Sequence, residues 1–333
     1  MPFPNTHAVL MSSKCAPIVT SLLLSFRLRI ALVKAEYPFN NALQDRAVQF
    51  LKSLKPKWSF DHDYADNLIT NLVPSSAGSP SGFVESILTL LSSPCSTVIT
   101  AALSFLFNIT TSSSFGIRCR VVVSDLISNV LATVQTHTLP IQANEKMFRR
   151  LVLIIDSSIY LASPGSLREL GITTVVDQLN HREMIFQKAV IPSSQFVTFL
   201  ISNRYVLNGD LFNLFMHLLC QLLLIGPFHR PTLEFVLASP IVMAITSCLS
   251  FIENHHHLET SLLSIKQSLR EWKTEGPEVA QSGKRMMQAL FSEGFEHTLE
   301  QMLKIDEGDG NGEWVVGECL KISKLLGSNV DWW

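Results

Sequence analysis

Residues 82–110 read GFVESILTLLSSPCSTVITAALSFLFNIT, and this stretch decides the fold. Phe83, Ile87, Leu90 and Leu91 recur at the spacing of one helix face. Ser92-Ser93-Pro94 then stops the chain, and Val98, Ala102, Leu106 and Ile109 open a second apolar face. A cap residue followed by proline suits a helix start, because the serine oxygen can accept from an orphan N–H and proline has none to leave unpaired. The pattern predicts two consecutive buried helices joined by a tight turn.

Working outward, the same kind of signal fills the chain. Apolar residues at helical spacing mark Ala47–Leu54, Val121–Val134, Met147–Leu161, Phe196–Ile201, Leu211–Ile225, Ile241–Ile252, Leu262–Trp272, Met286–Phe291, Phe295–Leu303 and Val315–Leu326. Breakers separate them: Pro56, the stretch 74–82, Pro140, Ser163-Pro164-Gly165, Pro192, Asn208-Gly209, Gly226-Pro227, Ser239-Pro240, Gly276-Pro277 and the glycines of 308–312. No stretch alternates with period two as a strand would. Short connections between helices of this length predict an all-α bundle or solenoid.

Internal repetition favours the solenoid. The phrase Gly-Φ-xxx-Φ-xx-Φ, with Φ apolar, occurs as Gly82-Phe83, Ile87, Leu90; as Gly171-Ile172, Val176, Leu179; and as Gly294-Phe295, Leu299, Met302. A copy without glycine is Val123, Ile127, Val130. Taken as one, two and three periods, the offsets of 40, 89 and 123 residues give about 40 to 44 residues per repeat. Glycine suits its place because a sharp turn between helices often requires positive φ.

On these residues the chain resembles the armadillo-like helical-repeat family. Within 82–110, Leu90-Leu91-Ser92-Ser93 falls where the second repeat helix ends, and Ala102, Leu103, Leu106, Asn108 and Ile109 follow the family order of the third. Phe235–Ile252 is a looser match without the asparagine, and the last sixty residues give another. The resemblance implies an all-α, right-handed α-solenoid of degenerate armadillo-like repeats over residues 37–333, with 1–36 as a divergent N-terminal helix or cap. It also implies a non-enzymatic scaffold that binds a protein or peptide partner, with Asn108 lining the binding groove. Peptide-binding members place such an asparagine in each repeat, and here Asn108 alone occupies the place.

Composition narrows the function classes. The chain is 47% hydrophobic and 16% charged, against roughly 25% charged in ordinary soluble domains. With 26 basic and 28 acidic residues it offers no general field for nucleic acid, so no nucleic-acid partner is expected. Cys15, Cys95, Cys119, Cys220, Cys248 and Cys319 are widely spaced, which predicts buried thiols in a reducing compartment. Leu211–Gly226 is strongly apolar, yet Asn213, His217 and Gln221 fall within its sixteen residues, so the expectation is a buried helix, no membrane span and a cytoplasmic location. Organelle targeting by the basic, acid-poor residues 1–36 is the alternative.

Two constellations have ligand chemistry. Glu307, Asp309, Asn311, the Glu313 carbonyl and Glu318 follow the order of an EF-hand calcium loop, with Gly312 at its sharp turn. Glu in place of Asp at the first position, Trp314 where a small aliphatic is usual, and the lack of a partner loop leave an acidic glycine-rich turn as the other reading. A calcium-responsive module is therefore the alternative function, and no other cofactor is expected. His255-His256-His257 suits a solvated turn, because consecutive helical residues cannot face one ion. No GxSxG elbow, phosphate loop or dinucleotide fingerprint is present, so no catalytic residue is assigned.

Overall fold

The computed structural model describes residues 96–112, 125–134, 140–207, 209–249 and 255–305, with Leu91, Arg118, Cys119, Val122, Gly317 and Lys321. Among these the chain is all-helical, without strand. The helices are α1 (Ser96–Ser112), α2 (Leu126–Val134), α3 (Glu145–Ile159), α4 (Pro164–Glu169), α5 (Val175–Ser202), α6 (Gly209–Ile225), α7 (Arg230–Ala238), α8 (Ile241–Leu249), α9 (His255–Thr274), α10 (Pro277–Ser292) and α11 (Phe295–Ile305). They form two compact units, one holding residues 1–161 with 187–193 and the other 162–186 with 194–333. The proposed cap, residues 1–36, lies outside the described residues.

In the first unit α1 packs along α3. The phrase read from 82–110 supplies that contact: Ala102, Leu103 and Leu106 are at most 2% exposed, against Phe148, Leu151 and Val152 of α3 at the same level. Each fully buried aliphatic or aromatic side chain contributes about 1.5–3 kcal/mol through removal from water. Thr110 is buried and donates to the Phe107 carbonyl at 3.0 Å, which fits a structural rather than glycosylated Asn108-Ile109-Thr110.

In the second unit α6 lies against α9, α7 against α10, and α8 against α11, and α6 also touches α8 and α8 touches α10. Most neighbours in sequence touch as well. Trp272 of α9 is fully buried and donates its indole N–H to the Leu224 carbonyl of α6 at 3.1 Å, tying one such pair. Gly283 of α10 packs closely opposite it, and a Cβ there would lie 3.0 Å from the Trp272 ring.

Helix ends follow sequence in part. Ser163 caps α4 by accepting from Ser166 N–H at 3.2 Å, with Pro164 at the first position. At Ser239-Pro240 the expected cap does not form: the Ser239 hydroxyl donates back to the Val236 carbonyl. After α4 the chain turns through Gly171 at φ 69°, where Ile172 N–H bonds Leu167 O and Gly171 N–H bonds Arg168 O, a Schellman closure. Gly294, before α11, has φ 84°.

Pro192 does not break its helix as expected. α5 runs unbroken through it because the backbone widens into a π-turn at Phe186–Val190, just before the ring. A proline in a regular helix collides with the carbonyl four residues back, here Lys188, and the wider turn relieves that collision. The result is a helix of 28 residues.

This continuity corrects two expectations. α5 and the segment Gly209–Phe228, where α6 continues into a turn of 3₁₀-helix, are each long and apolar enough to cross a bilayer, so the expectation of no membrane span does not hold. The cytoplasmic location fails with it, since two helices of this kind fit a membrane protein. The sixteen-residue estimate was too short because Gly209-Asp210 and Pro227-Phe228 extend the apolar segment to 20 residues. Within the fold, half of the qualifying window in α5 and two thirds of that in Gly209–Phe228 are buried by protein.

Candidate functional site

α5 meets its surroundings differently along its length. Its third turn is held by a polar and aromatic cluster. Arg182 is 7% exposed; its Nε donates to the Ala162 carbonyl at 3.3 Å, and its guanidinium lies 5.0 Å from the centre of the Phe228 ring. Glu183 Oε2 sits 3.0 Å from Nε2 of buried His229, whose Nδ1 is 2.9 Å from the Thr232 hydroxyl. Phe186 closes the cluster, edge-on to both His229 and Phe235.

The lowered pKa of this imidazole favours its neutral form. A neutral ring donates from Nε2 to the Glu183 carboxylate and accepts the Thr232 hydroxyl proton at Nδ1. Burial lowers the His229 pKa below the usual range; Glu183 opposes this through its charge and hydrogen bond, and Arg182 adds to it. Thr232 and His229 are both buried, so the hydroxyl–imidazole–carboxylate row serves as a tether between α5 and the start of α7.

The apolar side chains of the two turns before this cluster are bare. Val175 is 71%, Val176 66% and Leu179 45% exposed. Glu169, Asp177, Glu183 and Arg168 are the exposed charged residues nearby in sequence. Thr174 caps the helix, accepting from Asp177 N–H at 3.1 Å, so these turns have a fixed geometry. Further along, the exposed positions of α5 are largely polar, with Glu183, Gln187, Gln195 and Thr198, and Ile191 between them.

The residues singled out from sequence fall elsewhere. Asn108 lies on α1, and its side chain is outside the described residues. Glu307, Asp309, Asn311, Glu313 and Glu318 also lie outside them. His255, His256 and His257 occupy the first turn of α9 rather than a loop, which corrects that expectation. Among the described residues no three His, Cys, Asp or Glu side chains gather as a metal site. Cys220 and Cys248 are buried free thiols, as their sequence neighbourhoods suggest.

Sequence reasoning placed Val176 and Leu179 in a core phrase and missed that they are exposed. The signal lay just downstream. Where the phrase is buried it continues into apolar residues, Val134 after Val130 and Leu303 and Ile305 after Met302; after Leu179 come Asn180, Arg182 and Glu183. The His229 tether had no sequence signal, since its partners lie 46 residues apart. Comparison with protein-family models gives no match, and comparison with curated proteins gives none either.

Proposed function

We propose that this chain is a non-enzymatic protein-binding platform, built as a right-handed solenoid of armadillo-like three-helix repeats. The observation that carries this reading is the set of contacts between helices three apart in the second unit, α6 on α9, α7 on α10 and α8 on α11. Helices that stack on the third helix along are what a three-helix repeat generates when it covers its apolar face with the next copy. The positive φ of Gly171 and Gly294, at equivalent points of two repeat phrases, supports the same reading. Its non-enzymatic character rests on the sequence, which supplies no nucleophile elbow, phosphate loop or dinucleotide fingerprint.

The test is capture of partners by the tagged full chain, run with calcium and with a chelator, beside flotation of the purified chain with lipid vesicles. Protein partners recovered reproducibly in both capture arms support the platform. Recovery only with calcium moves the function to the loop at 307–318. Flotation with vesicles and no protein partner overturns the reading in favour of a membrane role for α5 and Gly209–Phe228.

A further inference from the structure

We propose that the cluster of Arg182, Glu183, His229 and Thr232 is an acid-released latch that holds the first turns of α5 in place. Those turns bury little of their own. Of Val175–Ile185 only Arg182 and Ile185 are buried, and Phe186 follows at 8% exposure. In α8, by contrast, seven of nine residues are buried. The buried anchors of the segment therefore fall in one turn, and the cluster sits at that turn. Arg182 reaches the Ala162 carbonyl at 3.3 Å and the Phe228 ring at 5.0 Å, and Glu183 reaches His229 at 3.0 Å. Ahead of it, Thr174 accepts from Asp177 N–H and the Gln178 amide donates to the Ile172 carbonyl, contacts made within the segment itself. A segment with few buried apolar side chains opens locally at low cost, so what fastens its one anchored turn controls it.

Acid acts on the latch through His229. The charges that face it are Glu183 and Arg182 from α5, with Glu275, just after α9, acting on Arg182. Arg230 and Glu234 of α7 itself are exposed, and Glu234 is paired with Arg285 of α10. α6 and α8, which also pack on α7, carry only exposed Asp210 and His217 and the buried thiols of Cys220 and Cys248. Burial holds the His229 pKa below its ordinary value, outweighing the opposite pull of Glu183. With the latch open the ring is in water and titrates near 6.5, so proton uptake favours the open form. The latch is complete above about pH 6.5 and weakens as the pH falls toward the depressed closed value. Between pH 7.5 and 5 the open population rises several-fold, and at most about thirtyfold, the limit for one imidazole titrating near 6.5.

The test is amide hydrogen exchange of the full-length chain at pH 7.5 and 5, each rate divided by the intrinsic rate at that pH. Residues 172–181 are expected to lose protection several-fold at pH 5, while residues 215–225 of α6 keep theirs. His229→Gln has an amide that can donate to Glu183 and accept from Thr232 without titrating. It is expected to stay closed at both pH values. Glu183→Ala, at a side chain 48% exposed, is expected to lower the protection of 172–181 already at pH 7.5 and to leave α6 unchanged. Equal protection of 172–181 at the two pH values overturns the latch. So does acid loosening that persists in His229→Gln, or protection untouched in Glu183→Ala. Loosening of α6 in step with 172–181 means global unfolding and overturns it as well. Should His229→Gln fail to fold, the Glu183→Ala comparison decides. None of these readouts involves a captured partner, so the latch and the platform fail separately.

Discussion

The repeat phrase around Gly171 and the one around Gly294 are written alike and end up in opposite surroundings. Each glycine has positive φ, 69° and 84°, so the turn is used in the same way. Beyond the turn they part. Leu299 is buried, whereas Val176, at the same position of its phrase, stands in solvent with Leu179 beside it. Local pattern therefore sets the turn and the helix, while burial depends on whether a third helix arrives to cover it.

The largest test concerns a fully covered copy. Leu106, 2% exposed in the packing of α1 on α3, becomes an unpaired buried charge in Leu106→Asp, and loss of the helical circular dichroism at room temperature is expected. A near-native melt would mean that α1 does not pack as described. Next comes the contrast itself. Leu299→Ala is expected to cost about 2–5 kcal/mol in denaturant unfolding, and Val176→Ala or Leu179→Ala no more than about 0.5 kcal/mol. Comparable losses at the two sites would erase the distinction between them.

The shared part of the two phrases predicts a shared effect. Gly171→Ala and Gly294→Ala are each expected to cost about 1–2 kcal/mol from the left-handed backbone, since a Cβ at either place meets nothing within 4 Å. A clear inequality would show that only one turn depends on its glycine. The smallest effect is the pH response behind the exposed copy. His229 has a lowered pKa in the fold, so on acidification the unfolded chain takes up the proton first. The stability is complete above about pH 6.5, the unfolded value, and declines as the pH falls toward the depressed folded value. Melting curves of His229→Gln at pH 7.5 and 5 should lose that part of the acid decline; an unchanged slope would remove His229 from the tether.

Much of the fold was legible because apolar period and turn chemistry act over a few residues. α1, α3, α6, α8 and α11 appear close to where their spacing put them, whereas only the second half of α10 was marked. The first turns of α5 and most of α7 were not marked as helices, because Asp177, Asn180, Arg182, Glu183, Arg230 and Glu234 interrupt their apolar period. In the structure several of those residues make the contacts that hold these helices: Arg182 over Phe228, Glu183 on His229, and Glu234 paired bidentately with Arg285 of α10 at 3.0 and 3.3 Å. Partnerships between residues 46 or 51 positions apart leave no local periodicity to read. The bare face of α5 was illegible for the complementary reason, since exposure here is a fact about which helix is not beside it.

The π-turn before Pro192 has a genetic consequence. A widened turn absorbs one surplus residue without rotating the helix on either side, whereas an insertion into a regular helix twists everything downstream by about 100°. The two ends of α5 thus stay in angular phase, with Arg182 and Phe186 facing one set of neighbours and Phe196 and Val197 buried in theirs. Deletion of exposed Gln187 together with Pro192→Ala should leave that phase intact and restore a regular helix, while the same deletion with Pro192 kept would force the ring against a carbonyl. This stretch can lose a residue only if residue 192 ceases to be proline.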